Sequence, residues 1–426
     1  MFDFANQAYT LLIITVVYGD LFTRVIVGDA GDDYRLGNLL WSSALALSYL
    51  AVVVTAPVLG AVMDYTATKK RFLFAGYAAT VAATAALYTV EPGQVALGFA
   101  LIALSSYAYC LGEAFIAGFL PDIAGPHEMG RVSGLGWSLG YLGGLCATAF
   151  TVLVLGEVSA ENFERIRWVG PFAAAFFLVC AVPTFLWLRE RGRAQPRPAG
   201  QGYVALGVSR VARTLHSLGY LRDLGVFMAS LLLAMSGLAI ILSYAFIYGA
   251  QVIGWDERVR LIMFVVTQIS AAAGAVGFGL VQDRLGAKRT YMATLLIWVA
   301  AILLIWATPQ LTALLNGLLG VAWEAQHVFL AAGCTAGLAL GACQSAGRTL
   351  VGLLAPPGRS AEFFGFWGVS TKLAAAFGLV AVGALQAAVG LQPAILLCAA
   401  LFAAAFLVAL GVDEDRGRAR GQALVE

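Results

Sequence analysis

Long apolar runs separated by short polar stretches set the rhythm of this chain. A window of about 19 residues, the length that crosses a hydrocarbon core of about 30 Å as a helix, picks out runs near 4–26, 37–63, 71–90, 95–120, 132–155, 168–188, 224–250, 259–282, 290–308, 327–352, 363–389 and 392–412. No run calls for a strand, so the pattern predicts an all-α membrane protein with 12 transmembrane helices. The stretch 311–325 holds Leu314, Leu315, Leu318 and Leu319 but also Trp323 and Glu324. It reads as a short interfacial helix, because a thirteenth crossing would put the basic C-terminal tail on the other side. The first apolar run merges into a full-length span, so no cleavable signal is expected.

A repeat divides the runs into two sets of six. Gly60-x-x-x-Asp64-x-x-x-x-Lys69-Lys70 returns as Gly279-x-x-x-Asp283-x-x-x-x-Lys288-Arg289, each position 219 residues on (Asp64 to Asp283). Each copy falls between two apolar runs, which predicts a short basic turn between two membrane helices in a duplicated transporter. Two six-helix bundles, 1–188 and 223–412, follow from this register, with 189–222 as a linker and 413–426 as a tail. Glycine in the motif allows close helix approach, the aspartate suits capping or pairing with a helix end, and the cations, with Arg284 and Gly286 in the second copy, sit at the surface. Such a turn is a candidate conformational latch.

Composition agrees with the membrane reading: 61% of the 426 residues are hydrophobic, only 12% are charged, and mean hydropathy is +0.84. With both termini on one side, that side collects 18 Lys and Arg, chiefly in Lys69–Arg71, Arg189–Arg222, Arg284–Arg289 and Arg416–Arg420. The opposite side collects six: Arg24, Arg35, Arg165, Arg167, Arg258 and Arg260. The bias makes the first side cytoplasmic. A net charge of +2 with no basic soluble domain excludes a nucleic-acid binder. All six cysteines fall inside spans and the three histidines lie far apart, so no disulfide framework, metal site or cofactor is expected.

The linker opens Arg189-Glu190-Arg191-Gly192-Arg193 and contains Pro196 and Pro198. Its second part spaces Val204, Val208, Val211, Leu215 and Leu218 at three and four residues, with Arg210 and Arg213 toward another face. That is an amphipathic helix on the cytoplasmic leaflet, serving as a tether or as a lipid sensor.

Ionisable and polar residues inside apolar spans are the candidate solute and proton sites, since a charge near the bilayer centre costs about 2.5–3.5 kcal/mol without a partner or water. Asp3, Asn6 and Thr10 share a face of the first span, and Glu113 lies well inside the fourth, where it is the candidate proton carrier. Tyr141, Tyr244, Gln344, Arg348 and Lys372 complete the set. Arg348 and Glu362, near the cytoplasmic ends of their spans, also suit structural or gating ion pairing. Gly136, Gly140 and Gly144 recur every four residues on the fifth span, and Ser270, Gly274 and Gly277 give the eighth a small face, for sliding or static packing.

Gly279-Leu280-Val281-Gln282-Asp283-Arg284-Leu285-Gly286-Ala287-Lys288-Arg289 resembles the signature loop of the major facilitator superfamily; the first copy has Ala67 where that loop usually has glycine. Phe2-Asp3-Phe4-Ala5-Asn6-Gln7-Ala8-Tyr9, Phe119-Leu120-Pro121-Asp122 and Arg131-Val132-Ser133-Gly134-Leu135-Gly136-Trp137 look like motifs of one branch, the vacuole-effluxer-like family. Gln344-Ser345-Ala346-Gly347-Arg348, Glu362-Phe363-Phe364-Gly365-Phe366-Trp367 and Lys372 are similar to its C-terminal signature. The resemblance implies the major facilitator fold and, from fungal members, export of amino acids. In the seventh span, where similar proteins carry an asparagine–aspartate pair, this chain reads Leu233-Ala234-Met235-Ser236-Gly237.

No nucleotide-cradling loop or nucleophile–base–acid set is visible, so the chain is not read as an enzyme. The expectation is a monomeric secondary transporter in the bacterial inner membrane, both termini cytoplasmic, exporting a small polar solute by alternating access, with protons as the candidate coupling ion. A non-transporting assembly or sensor protein and a lipid translocator are the alternatives.

Overall fold

The computed structural model describes residues 1–156, 158–196, 200 and 202–424; Arg197 and Pro198 of the expected linker, and the side chain of Leu218, lie outside the description. The first six helices are α1 Phe2–Val27, α2 Arg35–Thr66, α3 Lys69–Thr89, α4 Val95–Ile123, α5 Met129–Leu155 and α6 Phe163–Trp187. A linker helix, α7 Tyr203–His216, follows. Then come α8 Arg222–Ile253, α9 Glu257–Leu285 and α10 Ala287–Trp306, the short α11 Thr308–Leu319, α12 Ala325–Leu354, α13 Ser360–Val389 and α14 Leu391–Leu410, and a terminal α15 Glu414–Ala423. All but α7, α11 and α15 are long and apolar enough to cross a membrane, giving 12 spans among the described residues that match the 12 apolar runs one for one.

The stretch 311–325 is helical only as far as Leu319, where Gly320 closes α11 with φ 64°. At 1.5 Å per residue, α11 is about 18 Å long and too short to span.

Local chemistry sets several helix ends. Asp256 caps α9 by accepting the Val259 amide at 2.8 Å, and Asp413 caps α15 by accepting the Arg416 amide at 2.9 Å. Gly286, at φ 92°, is the single residue between α9 and α10. Ala67 ends α2 in the left-handed region at φ 49°, where a Cβ is strained. Pro57 inside α2 and Pro183 inside α6 each remove a backbone donor from the helix ladder. In α1, the segments Tyr9–Val16 and Phe22–Val27 adopt the wider π-helical winding.

The chain forms two compact units: Met1–Ile123 with Leu139–Val211 and Gly358–Gly368, and Ala124–Ser138 with Ala212–Pro357 and Val369–Glu426. The start of α13 thus belongs to the first unit and the start of α5 to the second. In the first, Tyr9 stacks on Tyr109 at 4.7 Å and Phe2 meets Phe177 edge-on at 5.3 Å. In the second, Trp298 stacks on Phe402 at 5.0 Å and Phe227 meets Tyr291 edge-on at 5.4 Å. Large aliphatic side chains such as Leu50, Val54, Val179, Val380 and Leu407 are exposed along the spans, the pattern of a surface solvated by lipid.

Candidate functional site

Each basic turn carries an aspartate that grips the N-terminus of a helix from the other sequence half. On α2, Gly60 lies one turn before Asp64, and a Cβ there would overlap the carbonyl oxygen of Ala361. The absence of that Cβ lets α2 reach the first turn of α13. The two carboxylate oxygens of Asp64 then accept the amides of Ala361 at 3.2 Å and Glu362 at 2.9 Å. In the second unit the arrangement recurs: the oxygens of Asp283 accept the amides of Gly130 at 2.9 Å and Arg131 at 3.0 Å, at the start of α5. A Cβ on Gly279 would lie 2.7 Å from the Gly130 carbonyl oxygen. In both clamps the donors are the second and third residues of the gripped helix. Those amides have no partner within their own helix, and the helix dipole favours an anion there.

The clamps differ in their cations. The first turn places Ala67 and Thr68 between α2 and α3, whereas the second places Gly286 alone between α9 and α10. The next helix therefore restarts one residue sooner after Asp283, and the sequence register of Lys69 with Lys288 does not carry into space. Lys69 is buried, with Nζ 3.5 Å from Asp64, 3.1 Å from Asp122 and 2.7 Å from the Ser360 hydroxyl. Its spatial counterpart is the buried Ala287. Lys288 instead donates to the Leu410 carbonyl at 3.2 Å, as Lys70 does to that of Leu188 at 2.9 Å. Arg284 and Arg289 are exposed.

A further carboxylate stands behind each turn. Glu190 accepts the amides of Lys69 at 2.7 Å and Lys70 at 3.3 Å, and Glu414 accepts that of Lys288 at 3.0 Å. Cations in the first turn of a helix oppose its dipole, and these glutamates offset them. Glu362, fully buried, takes ion pairs from Arg359 at 2.9 Å and from Arg210 of α7 at 3.3 Å. Burial draws Arg210 below its usual proton affinity, while Glu362 works against that.

Arg348 donates to the Ser133 carbonyl at 2.7 Å and to the Ser133 hydroxyl at 3.1 Å, and lies over the Trp137 ring at 5.4 Å. It thus holds the start of α5. The close contacts of α5 run through Gly134, set against the Ala275 carbonyl of α9, and through Gly140 and Gly143, set against Asp3 and Phe4 of α1. On α9, Gly274 packs on the Leu338 carbonyl of α12, while among the described residues nothing from another element lies within 4 Å of a Cβ on Gly277.

Inside the first unit, a polar chain joins α1 to α4. Thr10 donates to the Tyr109 hydroxyl at 2.6 Å, and Tyr109 donates to Glu113 at 2.9 Å. Asn6, one turn before Thr10, is buried with its Oδ1 lacking a hydrogen-bond partner among the described residues. Asp3 is half-buried on the same helix, and Tyr141 is buried on α5. Tyr244 on α8, Gln344 on α12 and Lys372 on α13 are half-buried in the second unit. Tyr109, Ser360 and Glu414 belong to these networks without having been singled out from the sequence, and Asp122, Glu190 and Arg210 without having been read there as site residues. The two glutamates had a signal: each follows the last span of its half by a few residues.

The family model described as vacuole effluxer Atg22 like matches residues 39–422. An uncharacterized MFS-type transporter of Bacillus subtilis, YxiO, is 24% identical over 392 residues, covering 90% of this chain and 87% of that one. Autophagy-related protein 22-1 of Emericella nidulans is 28% identical over 311 residues, covering 70% of this chain and 52% of the relative, so the match spans about half the fungal protein. Among solved structures, the proton:xylose symporter XylE superposes with a TM-score of 0.70 at 15% identity, covering 100% of this chain and 97% of that one. The human organic anion transporter MFSD10 gives 0.69 at 17% identity, with 96% of each chain covered. This fold and family are those of transporters, not enzymes. A family match over nearly the whole chain and a fold shared with these structures identify the chain as a member of the vacuole effluxer Atg22-like family, built on the major facilitator fold.

Proposed function

We propose that this protein is a secondary transporter that exports a small polar solute, an amino acid or related metabolite, from a bacterial cell by alternating access. In this reading it works as a monomer in the inner membrane, with both termini and both basic turns cytoplasmic. The segments 1–188 and 223–412 are the moving bundles, 189–222 the tether and 413–426 the tail.

The pair of matched clamps carries the reading. Asp64 on Ala361 and Glu362, and Asp283 on Gly130 and Arg131, each tie one sequence half to the other through two hydrogen bonds and a charge–dipole attraction. Hydrogen bonds to a charged group contribute about 1.5–3 kcal/mol each. Contacts of this size hold one conformation firmly yet remain reversible, which is what a population shift driven by solute and ion binding requires.

Solute and proton then meet the intramembrane polar groups. Asn6 offers a buried acceptor, and Asp3 and Glu113 offer carboxylates to a cationic amine. Tyr141, Tyr244 and Gln344 offer neutral hydrogen-bonding groups, and Lys372 suits a carboxylate. Arg348 is assigned to holding α5 rather than to the solute, because it donates to both the hydroxyl and the carbonyl of Ser133. Glu113 is the proton carrier: a change in its charge is felt at Tyr109 and Thr10 through their shared hydrogen bonds.

Proteoliposomes with an imposed pH gradient and a panel of labelled amino acids test this. The wild-type chain should accumulate at least one panel member, and Glu113→Gln should bind it while losing dependence on the gradient. Transport of no panel member would overturn the substrate class. Undiminished proton-driven accumulation by the variant would overturn the role of Glu113.

A further inference from the structure

The linker helix α7 presents a different face to the protein from the one an amphipathic helix would choose in water. At about 3.6 residues per turn, its side chains sort into three faces roughly a third of a turn apart. Leu206, Gly207, Arg210 and Thr214 are buried. A Cβ on Gly207 would lie 2.8 Å from the Val58 carbonyl and 3.0 Å from the Val62 side chain, so α7 lies directly against α2. Arg210 reaches Glu362 and lies 5.9 Å from the Tyr65 ring centre. The second face, Val204, Val208 and Leu215, is exposed by 72%, 52% and 49%, with Val211 half-buried at its edge. The third, Ala205, Ser209, Ala212 and His216, is exposed and small or polar. In water the aliphatic face would turn inward; here a glycine and an arginine take that place.

The depth of the contact says what meets the aliphatic face. With 32 residues, α2 is about 48 Å long and outreaches a hydrocarbon core of about 30 Å by roughly 9 Å at each end when centred. Val62 and Val58 lie about 6 and 12 Å from the end of α2 at Thr66. α7 therefore runs alongside α2 where acyl chains give way to headgroups. A helix there has three neighbours, protein, lipid and water, matching its three faces.

We propose that α7 is an interfacial helix whose Val204, Val208 and Leu215 face is seated on the phospholipid leaflet, held in that roll by Gly207 and by the grip of Arg210 on Glu362. This lipid seat stands independently of the transport reading. Photo-crosslinking in native membranes tests it without a transport assay. p-Benzoylphenylalanine would be placed singly at Val208, Leu215 and Ser209, and adducts on the monodisperse, purified chain read by mass spectrometry. Phospholipid adducts at 208 and at 215, each at least about fivefold above those at 209, are the expected result. Equal adducts at all three positions, a crosslinked second copy at 208, or no lipid adduct at either aliphatic position would overturn the proposal. Reading 215 beside 208 guards against one substitution that perturbs the helix.

Discussion

Replacing Asp64 by asparagine keeps the shape of the side chain and removes what the first clamp depends on. One carboxylate oxygen becomes an NH2 group facing a backbone amide, so either Ala361 or Glu362 loses its acceptor. The negative charge beside buried Lys69, 3.5 Å away, is also lost, leaving Asp122 as the nearby counterion. An orphaned buried donor costs about 1–3 kcal/mol, and loss of an anion at a helix N-terminus about 0.3–1 kcal/mol more. Taken together, about 1.3–4 kcal/mol shifts the equilibrium away from the clamped state about tenfold to a thousandfold. Hydrogen–deuterium exchange reads this directly, because the amides at stake are the clamp's own donors. Peptides covering 359–364 should exchange faster in Asp64→Asn by a factor in that range, while peptides covering 129–133, held by Asp283, should change far less. Unchanged exchange at 359–364 in a folded variant would show that the hydrogen bonds contribute nothing to the conformational balance, and the latch would fall with them.

Asp283→Asn should produce the mirror result, faster exchange at 129–133 with smaller effects at 359–364; a change confined to 359–364 would refute the matched-clamp argument. Ala67→Gly relieves a left-handed alanine at φ 49° and should raise the midpoint of thermal unfolding by roughly a degree or two, since about 1–2 kcal/mol of strain outweighs about 0.5–1 kcal/mol of glycine entropy; a lower midpoint would contradict the turn geometry. Glu190→Gln and Glu414→Gln should each weaken the first turn of α3 or α10 by about 0.3–1 kcal/mol, visible as faster exchange at 69–72 or 287–290 and absent if those glutamates are only bystanders. The Val259 amide holds the Asp256 carboxyl below the usual carboxylate range. Its contribution is therefore complete above the unfolded value of about 3.9 and lost as pH falls through the lower folded value. Asp256→Asn should flatten that acid limb in a melting series, and an unchanged limb would exclude the cap as its source.

Sequence by itself determined the membrane spans and the repeat of the Gly–Asp motif. Crossing lipid demands long apolar helices whose backbone groups are satisfied internally, a requirement met residue by residue along the chain, so the 12 runs and the 12 helices coincide. The matched Gly–Asp motifs were legible for the same reason, being local and repeated. What those aspartates grip was decided only in three dimensions. Asp64 and Ala361 are far apart along the chain, and nothing near either one names the other. The one-residue difference between the turns, which buries Lys69 among Asp64, Asp122 and Ser360 and leaves Ala287 in the equivalent place, follows from backbone angles at Ala67 and Gly286 that equal motif spacing conceals. For α7, periodicity places Val204, Val208 and Leu215 on one face suited to a leaflet, but the groups that hold its roll were hidden likewise. Only the close approach of Gly207 to α2 and the pull of Glu362 on Arg210 decide which way that face points.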